Sequence, residues 1–412
     1  MKGTYVLTVV LCAGVLAGPL TAQTLQLEWP QWRGPDRTAC STEGGLLKSW
    51  PEGGPPHVWT VTGLGDGFSS VAVSDGRIFT MGNTADGQVL TALDFATGRK
   101  LWTGLVNVRP YTNKRGDGPR GTPTVDDGRV YTEGGYGTVC CWDARTGKRL
   151  WRVSLPDDLN GTQPGWGYSE SPLVSGSALI VTPGGVDGAV AALDRKTGRV
   201  LWRSKDCTYE ASYCSPVPAT LDGKPQIVQG LDKRLVGVDA LTGKLLWEFR
   251  EPVSGAFACT PVVHEGLVFG STGYGAGSGV ARVTRDGAQT VWHDKKAGNH
   301  HGGVVRVGDY VYGFLGEKNT LHCVELESGR VAWQDASVGK GSMVYADGHL
   351  TCLGEGAHVA LVEATPDGYT EKGRFRLPRG GKGPSWAHPV VVHGRLFVRH
   401  GDVLHCWDVK AK

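Results

Sequence analysis

Residues 92–102 read ALDFATGRKLW, and four other segments repeat this eleven-residue pattern. They are residues 141–151 (CWDARTGKRLW), 192–202 (ALDRKTGRVLW), 237–247 (GVDALTGKLLW) and 323–333 (CVELESGRVAW). Each copy has an acidic residue, then Thr-Gly or Ser-Gly, and ends in Trp. The acidic side chain can bond nearby backbone N–H groups and the Gly tolerates a positive φ, so each copy predicts two strands joined by a tight turn.

A second phrase precedes each copy and opens a repeating unit. In one example Thr122-Pro123 leads to Asp127-Gly128 between apolar runs, which is a hairpin signal. Trp recurs every 41 to 51 residues between Trp59 and Trp333, which leaves room for four strands in each unit. The eight units open at Ser70-Val71, Thr122-Pro123, Ser171-Pro172, Ser215-Pro216, Thr260-Pro261, Gly302-Gly303, Ser342-Met343 and His388-Pro389.

The repeat predicts a closed ring. A four-stranded blade cannot bury both faces unless neighbours pack on it, and a period of this length made of strands favours a propeller. The last unit, residues 389–409, supplies three strands, while His57-Val58-Trp59 carries the missing outer strand. The predicted fold class is therefore all-β: an eight-bladed β-propeller with four-stranded antiparallel blades, closed by an N-terminal strand that removes an open edge.

The N-terminal region predicts export. Lys2, an apolar stretch from Val6 to Ala17 and Thr21-Ala22 are typical of a signal peptide over residues 1–22, and the stretch is too short to span a bilayer. Residues 23–56, which contain Trp29, Trp32 and Trp50, are expected to form an arm on the outside or on one face. Residues 57–412 are expected to form the propeller. The predicted location is periplasmic or extracellular.

Composition indicates a globular protein without a nucleic-acid partner. The 412 residues are 40% hydrophobic and 20% charged, with a net charge of +3. So small a charge gives no reason to invoke nucleic acid. No later segment is long and apolar enough for a transmembrane span, and we expect a monomer. The 63 Gly and 14 Trp residues suit many short strands and tight turns.

The repeated Ala-x-Asp-x-x-Thr-Gly-x-x-x-Trp pattern resembles the tryptophan-docking motif of PQQ-dependent dehydrogenases and of the outer-membrane assembly factor BamB. Trp32-Arg33-Gly34-Pro35 and Trp386-Ala387-His388-Pro389 are similar to segments of bacterial members of the PQQ-like repeat family. This resemblance implies a propeller that binds an envelope protein or a small extracellular ligand. If the protein is an enzyme, the resemblance implies a PQQ-dependent oxidation of an alcohol or sugar, with calcium beside PQQ.

The cysteines have two interpretations. PQQ alcohol dehydrogenases carry a vicinal disulfide against their cofactor, which makes Cys140-Cys141 a candidate. Cys141, however, falls at the repeat position held by Ala92, where a free Cys packs as a small apolar residue. We therefore expect both to be structural residues of a strand. Cys207 and Cys214 are close enough in sequence to be a possible pair, and export would permit a disulfide between them.

Residues just before each inner strand are expected to rim one end of the central channel. Cationic side chains and Trp at this rim suit a planar anionic ligand or an acidic peptide, whereas the alternative is an ordinary solvated rim. Phe68, Ser169 and Tyr213 belong to the same rim. The candidate ligand-binding residues are Arg120, Trp166, Tyr168, Glu170, His300, His301, Lys340, Trp386 and His388.

Catalytic and metal-binding residues are not assigned. Adjacent histidines in an extended segment point to opposite sides, so His300 and His301 are not expected to bind one metal ion with His388. Asp94 and Asp143 repeat in register, which favours turn formation over calcium binding. The predicted function is a non-catalytic exported module that binds a ligand or partner, or acts as a scaffold, through its loop-rich face. The alternative is a PQQ-dependent quinoprotein dehydrogenase.

Overall fold

The computed structural model describes residues 1, 28–251 and 256–412. The predicted signal peptide, residues 1–22, lies outside the described residues except for its first. Within the described ranges the regular structure is 33 β-strands and one short helix, α1 (Leu155–Leu159). No helix in these ranges has both the length and the apolar character needed to cross a bilayer.

The strands form eight sheets, one for each blade. Two strands precede the first blade: β1 (Cys40–Ser41) and β2 (His57–Val61). Blade 1 contains β3 (Ala72–Ser74), β4 (Arg77–Thr84), β5 (Gly87–Asp94) and β6 (Lys100–Asn107). Blade 2 contains β7 (Thr124–Asp126), β8 (Arg129–Glu133), β9 (Thr138–Asp143) and β10 (Arg149–Ser154). Blade 3 contains β11 (Leu173–Ser175), β12 (Ala178–Val181), β13 (Ala191–Asp194) and β14 (Val200–Arg203).

The remaining blades follow in chain order. Blade 4 contains β15 (Val217–Leu221), β16 (Lys224–Leu231), β17 (Arg234–Asp239) and β18 (Leu245–Phe249). Blade 5 contains β19 (Val262–His264), β20 (Leu267–Thr272), β21 (Gly277–Thr284) and β22 (Gly287–Asp294). Blade 6 contains β23 (Val304–Val307), β24 (Tyr310–Leu315), β25 (Thr320–Glu325) and β26 (Val331–Asp335). Blade 7 contains β27 (Gly341–Ala346), β28 (His349–Gly354), β29 (His358–Glu363) and β30 (Glu371–Arg376). Blade 8 contains β31 (Val390–Val392), β32 (Arg395–His400) and β33 (Val403–Asp408).

Blade 8 takes its fourth strand from the other end of the chain. Strand β2 pairs antiparallel with β33, and Trp59 lies opposite Cys406. The sheet order is β2, β33, β32, β31, so the edge of β33 is covered. The predicted eight-bladed propeller, closed by an N-terminal strand, is confirmed.

The two predicted turns have the backbone conformations that their residues favour. Asp75 and Gly76 have φ values of 49° and 68°, which fit a two-residue hairpin turn with both central residues at positive φ. In the second turn Asp94 Oδ1 accepts hydrogen bonds from the Thr97 backbone N–H at 2.9 Å and from its hydroxyl at 2.6 Å. The repeated acidic residue is therefore a turn former, as predicted.

Trp102, Trp151 and Trp202 each pack on the Thr-Gly turn of the following copy, whereas Trp247 is buried and donates to Gln226 Oε1 of its own blade. Trp102 Nε1 donates to the Ala144 carbonyl at 3.2 Å, and a Cβ on Gly147 would lie 2.6 Å from the Trp102 ring. Trp151 lies on Gly198 of the next blade in the same way. Glycine is therefore needed in this turn for two reasons: the backbone at Gly147 has a φ of 72°, and an indole ring approaches too closely to leave room for a Cβ. The rings of Trp102, Trp151 and Trp202 are half-buried between blades.

Cys141 occupies the strand position opposite the Trp that ends its own copy of the motif, and this position accounts for a small residue there. Ala92 lies opposite Trp102, and Cys141 lies opposite Trp151. Cys140 and Cys141 are both buried in β9 and neither forms a disulfide. Their interpretation as small core residues agrees with this placement, while the vicinal disulfide is absent from this strand.

The possible Cys207–Cys214 pair is also not formed. Both cysteines are buried free thiols, and they belong to two different hydrophobic clusters. All nine cysteines in the described part of the chain are free.

Hydroxyl side chains at the openings of the units join the inner strands. The Ser70 N–H donates to Thr122 Oγ1 at 3.1 Å, the Thr122 N–H to Ser171 Oγ at 2.9 Å, and the Ser171 N–H to Ser215 Oγ at 2.9 Å. Each hydroxyl therefore satisfies a backbone donor of the preceding blade. This explains why Ser or Thr recurs at this position.

Residues 28–41 of the N-terminal arm cross the central channel, which differs from the expected position on the outside or on one face, whereas Leu47 and Trp50 of the same arm bond the carbonyls of Val409 and Lys372 beside blades 8 and 7. Trp29 pairs with Val73 of blade 1, and Cys40 pairs with Tyr345 of blade 7. The buried Arg37 donates to the carbonyls of Ser171 and Pro216, both at 2.9 Å. Inner strands have unpaired carbonyls along the channel, and a guanidinium with five donors satisfies several of them at once. We call residues 28–41 the plug.

We expect Trp151→Ala to lower the free energy of unfolding by about 2–3 kcal/mol, because it removes a large half-buried ring from the contact between two blades. Chemical denaturation measures this change. Leu150→Ala is the matched control, because Leu150 is 43% exposed and should change stability by less than about 0.5 kcal/mol. Equal stability of the wild type and Trp151→Ala would contradict the docking role.

Deletion of residues 28–61 should leave β33 with an unpaired edge and the channel without its plug, so we expect aggregation. Size-exclusion chromatography with light scattering measures the outcome. A monodisperse truncated protein with an unchanged melting temperature would show that the ring is closed by other contacts.

Candidate ligand-binding funnel

A cavity of about 200 Å³ opens at the end of the channel where the inner strands begin. We call this cavity the funnel. Most of its wall comes from residues that precede the inner strands, and Trp32 of the plug contributes from below. The lining residues are Trp32, Phe68, Arg115, Arg120, Trp166, Ser169, Ser171, Tyr213, Ser215, Ala258, Thr260, Tyr274, His300, His301, Lys340, Trp386 and His388.

Seven of the nine predicted site residues line the funnel. The exceptions are Tyr168 and Glu170, whose side chains are buried outside it. Ser169 and Ser171 face the funnel, and successive side chains of an extended segment point to opposite sides, so Tyr168 and Glu170 point into the blades. The Tyr168 hydroxyl donates to the Pro183 carbonyl at 2.9 Å.

His300 and His301 both line the funnel, although an extended segment would have separated them. The backbone here turns: the Asn299 side chain accepts from the Gly303 N–H at 3.0 Å and donates to the Gly303 carbonyl at 3.3 Å. Even so, residues 28–251 and 256–412 contain no group of three or more His, Cys, Asp or Glu side chains placed to hold a metal ion.

Aromatic rings form the sides and floor of the funnel. Trp166 and Tyr213 are stacked, with ring centroids 4.7 Å apart and planes inclined by 21°. Phe68 and Trp386 lie 4.7 Å apart on another side. In the floor, Trp32 Nε1 donates to Thr260 Oγ1 at 2.9 Å. The plug therefore makes the funnel blind and lines its base with an indole.

Two arginines supply positive charge beside these rings. Arg120 lies between Phe68 and Tyr111, 5.4 and 5.6 Å from the ring centroids, and burial lowers its pKa. It also donates to the Gly116 carbonyl at 3.1 Å, which supports the loop that carries Arg115. The Arg115 guanidinium lies 5.8 Å from the Trp166 ring. Both cations are placed to meet an anion that enters between the rings.

Glu355, which the sequence did not single out, bonds three lining residues on the opposite side from behind the funnel wall. Its Oε1 accepts from His301 Nε2 at 2.9 Å and from Trp386 Nε1, and Lys340 Nζ lies 3.3 Å away. Burial alone would raise the pKa of Glu355, but the hydrogen bonds from His301 and Trp386 and the Lys340 charge lower it to about 2. Glu355 is therefore ionised at neutral pH.

The histidines of the funnel add no charge at neutral pH. Burial lowers the pKa of His300 and His301, and it lowers that of His388 to about 3. The charged groups that line the funnel are thus three cations, Arg115, Arg120 and Lys340, while the carboxylate of Glu355 lies behind the wall against Lys340. The site has a net positive charge.

A pair of buried carboxyl groups lies behind the funnel wall. Glu170 Oε2 accepts from Gln229 Nε2 at 3.0 Å, whereas both Glu133 side-chain oxygens lack a hydrogen-bond partner within the described residues. Burial raises the pKa of Glu133 well above its ordinary value and that of Glu170 to about 8, although Arg37 of the plug partly offsets the latter. At neutral pH this pair retains at least one proton.

Comparison with solved structures supports the fold. BamB from Moraxella catarrhalis superposes with a TM-score of 0.61 at 17% identity, over 86% of this chain and 98% of that one. The quinohemoprotein alcohol dehydrogenase ADHIIG from Pseudomonas putida HK5 gives a TM-score of 0.63 at 13% identity, over 94% of this chain and 81% of that one. Identities this low show a shared fold, which does not by itself carry function.

Sequence comparison finds the same two groups. The family described as outer membrane protein assembly factor BamB matches residues 85–335. The 1-butanol dehydrogenase (quinone) of Thauera butanivorans is 35% identical over 26% of this chain and 16% of that protein. Quinoprotein alcohol dehydrogenase PedH of Pseudomonas putida is 30% identical over 36% of this chain and 25% of that protein. The matches thus cover a quarter or less of these curated relatives.

We expect Glu133→Gln to stabilise the protein more at pH 8 than at pH 5. An acid whose pKa is raised by folding holds its proton in the native state and loses it on unfolding, so stability falls as the pH rises above about 4.5 toward the folded pKa. The amide removes this loss. The expected gain at pH 8 is at least about 1 kcal/mol, with little change at pH 5.

Thermal unfolding at several pH values measures the effect, and the exposed Glu317→Gln is the control. A pH profile of Glu133→Gln parallel to that of the wild type would show that Glu133 does not hold its proton in the folded state.

Proposed function

We propose, on the premise that this chain belongs to the family described as outer membrane protein assembly factor BamB, that it is an exported binding module whose funnel captures a planar ligand with a carboxylate group. The chain is a PQQ-repeat propeller related both to BamB and to PQQ alcohol dehydrogenases. The observation that carries the proposal is the placement of two arginines against aromatic rings inside a blind cavity.

The charges and shape of the funnel support a carboxylate ligand. Arg115 has no hydrogen-bonded or ionic partner for its guanidinium within the described residues, so an incoming carboxylate meets an unpaired cation there. Arginine recognises carboxylates through paired N–H donors, and the stacked Trp166 and Tyr213 offer a flat surface for a ring. The volume of about 200 Å³ lies below the range of about 300–1,000 Å³ typical of drug-sized ligands, which favours a small molecule.

The quinoprotein relatives raise the alternative of a PQQ-dependent dehydrogenase. The funnel does not fit PQQ with calcium, because calcium takes six to eight oxygen ligands and the described residues that line the funnel include no Asp or Glu. Glu355, the carboxylate behind the wall, already accepts hydrogen bonds from His301 and Trp386 and pairs with Lys340. Cys140 and Cys141 are free thiols buried in β9, so the funnel also lacks the vicinal disulfide that the resemblance to PQQ alcohol dehydrogenases would imply.

The proposed function also includes export of the protein from the cell. The predicted signal peptide supports a periplasmic or extracellular location, where the ligand would be a small extracellular molecule or an acidic side chain of an envelope protein. Both would present the same carboxylate to Arg115 and Arg120. The small volume and blind end of the funnel favour the free small molecule.

We expect phenylacetate to bind with quenching of tryptophan fluorescence, because three indoles line the funnel. Replacing both Arg115 and Arg120 by Ala should weaken binding at least tenfold, about 1.4 kcal/mol. Lys114→Ala is the matched control for the Arg115 change, since it removes one positive charge from the same loop outside the funnel. Arg115→Ala alone tests the site without loss of the loop contact made by Arg120.

Titration with PQQ and calcium distinguishes the alternative. Calcium-dependent PQQ binding with reduction of a dye in the presence of an alcohol would replace the proposal by the dehydrogenase function. Failure of the wild type to bind phenylacetate, benzoate or 2-naphthoate would contradict the proposed binding role.

A further inference from the structure

We infer that a second cavity, between blades 7 and 8, binds the phosphate group of a phosphate monoester. The cavity has a volume of about 620 Å³, and we call it the side groove. The loop between β30 and β31 contributes to both cavities, with Trp386 and His388 in the funnel and residues 377–381 in the side groove. No residue lines both, so the inference goes beyond the proposed function of the funnel. The residues that line the side groove are Ala357, Arg376, Leu377, Pro378, Arg379, Gly380, Gly381 and His400.

Two arginines without partners give the side groove its charge. Arg376 ends β30 and Arg379 follows in the loop, and neither guanidinium has a hydrogen-bonded or ionic partner within the described residues. Arg374 on the same strand differs, because it pairs with Glu371 at 2.6 Å. The described residues that line the side groove include no Asp or Glu. An anion that enters the groove therefore meets two cations whose donors are free.

Contacts between the two blades hold the backbone of the side groove in place. The Leu377 N–H donates to the Ala357 carbonyl at 2.8 Å. On the other side, His400 Nε2 donates to the Gly383 carbonyl at 2.7 Å, and the Gly381 backbone lies against the His400 ring with no room for a Cβ. The loop is thus fixed at both ends of the groove, which lowers the entropy cost of ordering a binding site.

The number of free donors favours a phosphate over a carboxylate. One guanidinium can bond both oxygens of a carboxylate through its paired N–H groups, so a carboxylate leaves the second arginine unused. A phosphate monoester presents three terminal oxygens and a charge of about −1.5 to −2 at neutral pH, which both arginines can share. Ala357 and Pro378 add a non-polar surface for the carbon side of the ester. The volume of the groove falls within the range of about 300–1,000 Å³ that is typical of small-molecule sites.

Isothermal titration of the full chain with glycerol 3-phosphate and D-glycerate at low ionic strength tests the inference. The wild type should bind glycerol 3-phosphate at least tenfold more tightly than D-glycerate. The double change Arg376→Ala and Arg379→Ala should weaken this binding at least tenfold, and Arg379→Lys at least threefold, because Lys keeps the charge but not the paired donors. Arg374→Ala with Lys382→Ala is the matched control: it removes two charges from the same strand and loop outside the groove and should keep the affinity within twofold.

Further arms distinguish the funnel and the source of the phosphate. Arg115→Ala with Arg120→Ala should leave the binding of glycerol 3-phosphate unchanged, and loss of binding in that variant would assign the ester to the funnel and overturn the inference. Sedimentation with phosphatidic acid vesicles, compared with phosphatidylcholine vesicles, tests a lipid headgroup: binding of these vesicles alone, lost with Arg376 and Arg379, would support the phosphate site and identify a lipid as its source. Equal loss of affinity in the matched control, equal binding of D-glycerate, or no binding of either phosphate probe would each overturn the inference. None of these results depends on whether the funnel binds phenylacetate.

Discussion

The contact between an indole and a glycine turn is the constraint on which the rest of the structure depends. Trp102, Trp151 and Trp202 each reach from the outer strand of one blade to the Thr-Gly turn of the next. Because the contact joins different repeats, the spacing between copies of the motif sets the spacing of the blades. The acidic residue of the motif holds the turn in shape, and the small residue opposite the Trp, such as Ala92, leaves room inside the blade. One eleven-residue pattern thereby specifies both a blade and its neighbour.

The ring and the plug together place the site. Blade packing brings the ends of the inner strands to a common axis, so Arg120, Lys340 and Trp386 meet although they are far apart in sequence. The plug then closes the channel below them, with Arg37 bound to carbonyls of two inner strands. A through-channel would be filled with water, whereas a closed one gives a cavity with an aromatic floor. The chemistry of the funnel is therefore a joint product of the repeats and of the one segment that does not repeat.

The fold was predictable from the sequence because its determinants recur. The turn residues, the docking Trp and the closing strand at His57-Val58-Trp59 each repeat or complete a pattern, and the ring follows from them. Seven of the nine candidate residues line the funnel for the same reason. The two candidates outside the funnel, Tyr168 and Glu170, lie in the extended segment before β11, where a shift of one residue exchanges the side chains that face the funnel with those that point into the blades. Neither the role of Glu355 nor the path of the plug could be predicted from the sequence, because neither belongs to the repeated pattern. Glu355 lies in a hairpin turn of ordinary polar composition, and only its tertiary contacts distinguish it.

The pairing of β2 with β33 has a consequence for the order in which the molecule is assembled. Residues 57–61 are synthesised well before their partner at residues 403–408, so the strand stays without its partner until those residues have been made. Contacts between such distant segments form slowly, because the entropy cost of closing a long loop comes before the contacts stabilise the fold. The plug is subject to the same delay, because it touches blades from the first to the seventh. Closure of the ring therefore brings together segments from distant parts of the sequence, and the funnel is complete only once they have met.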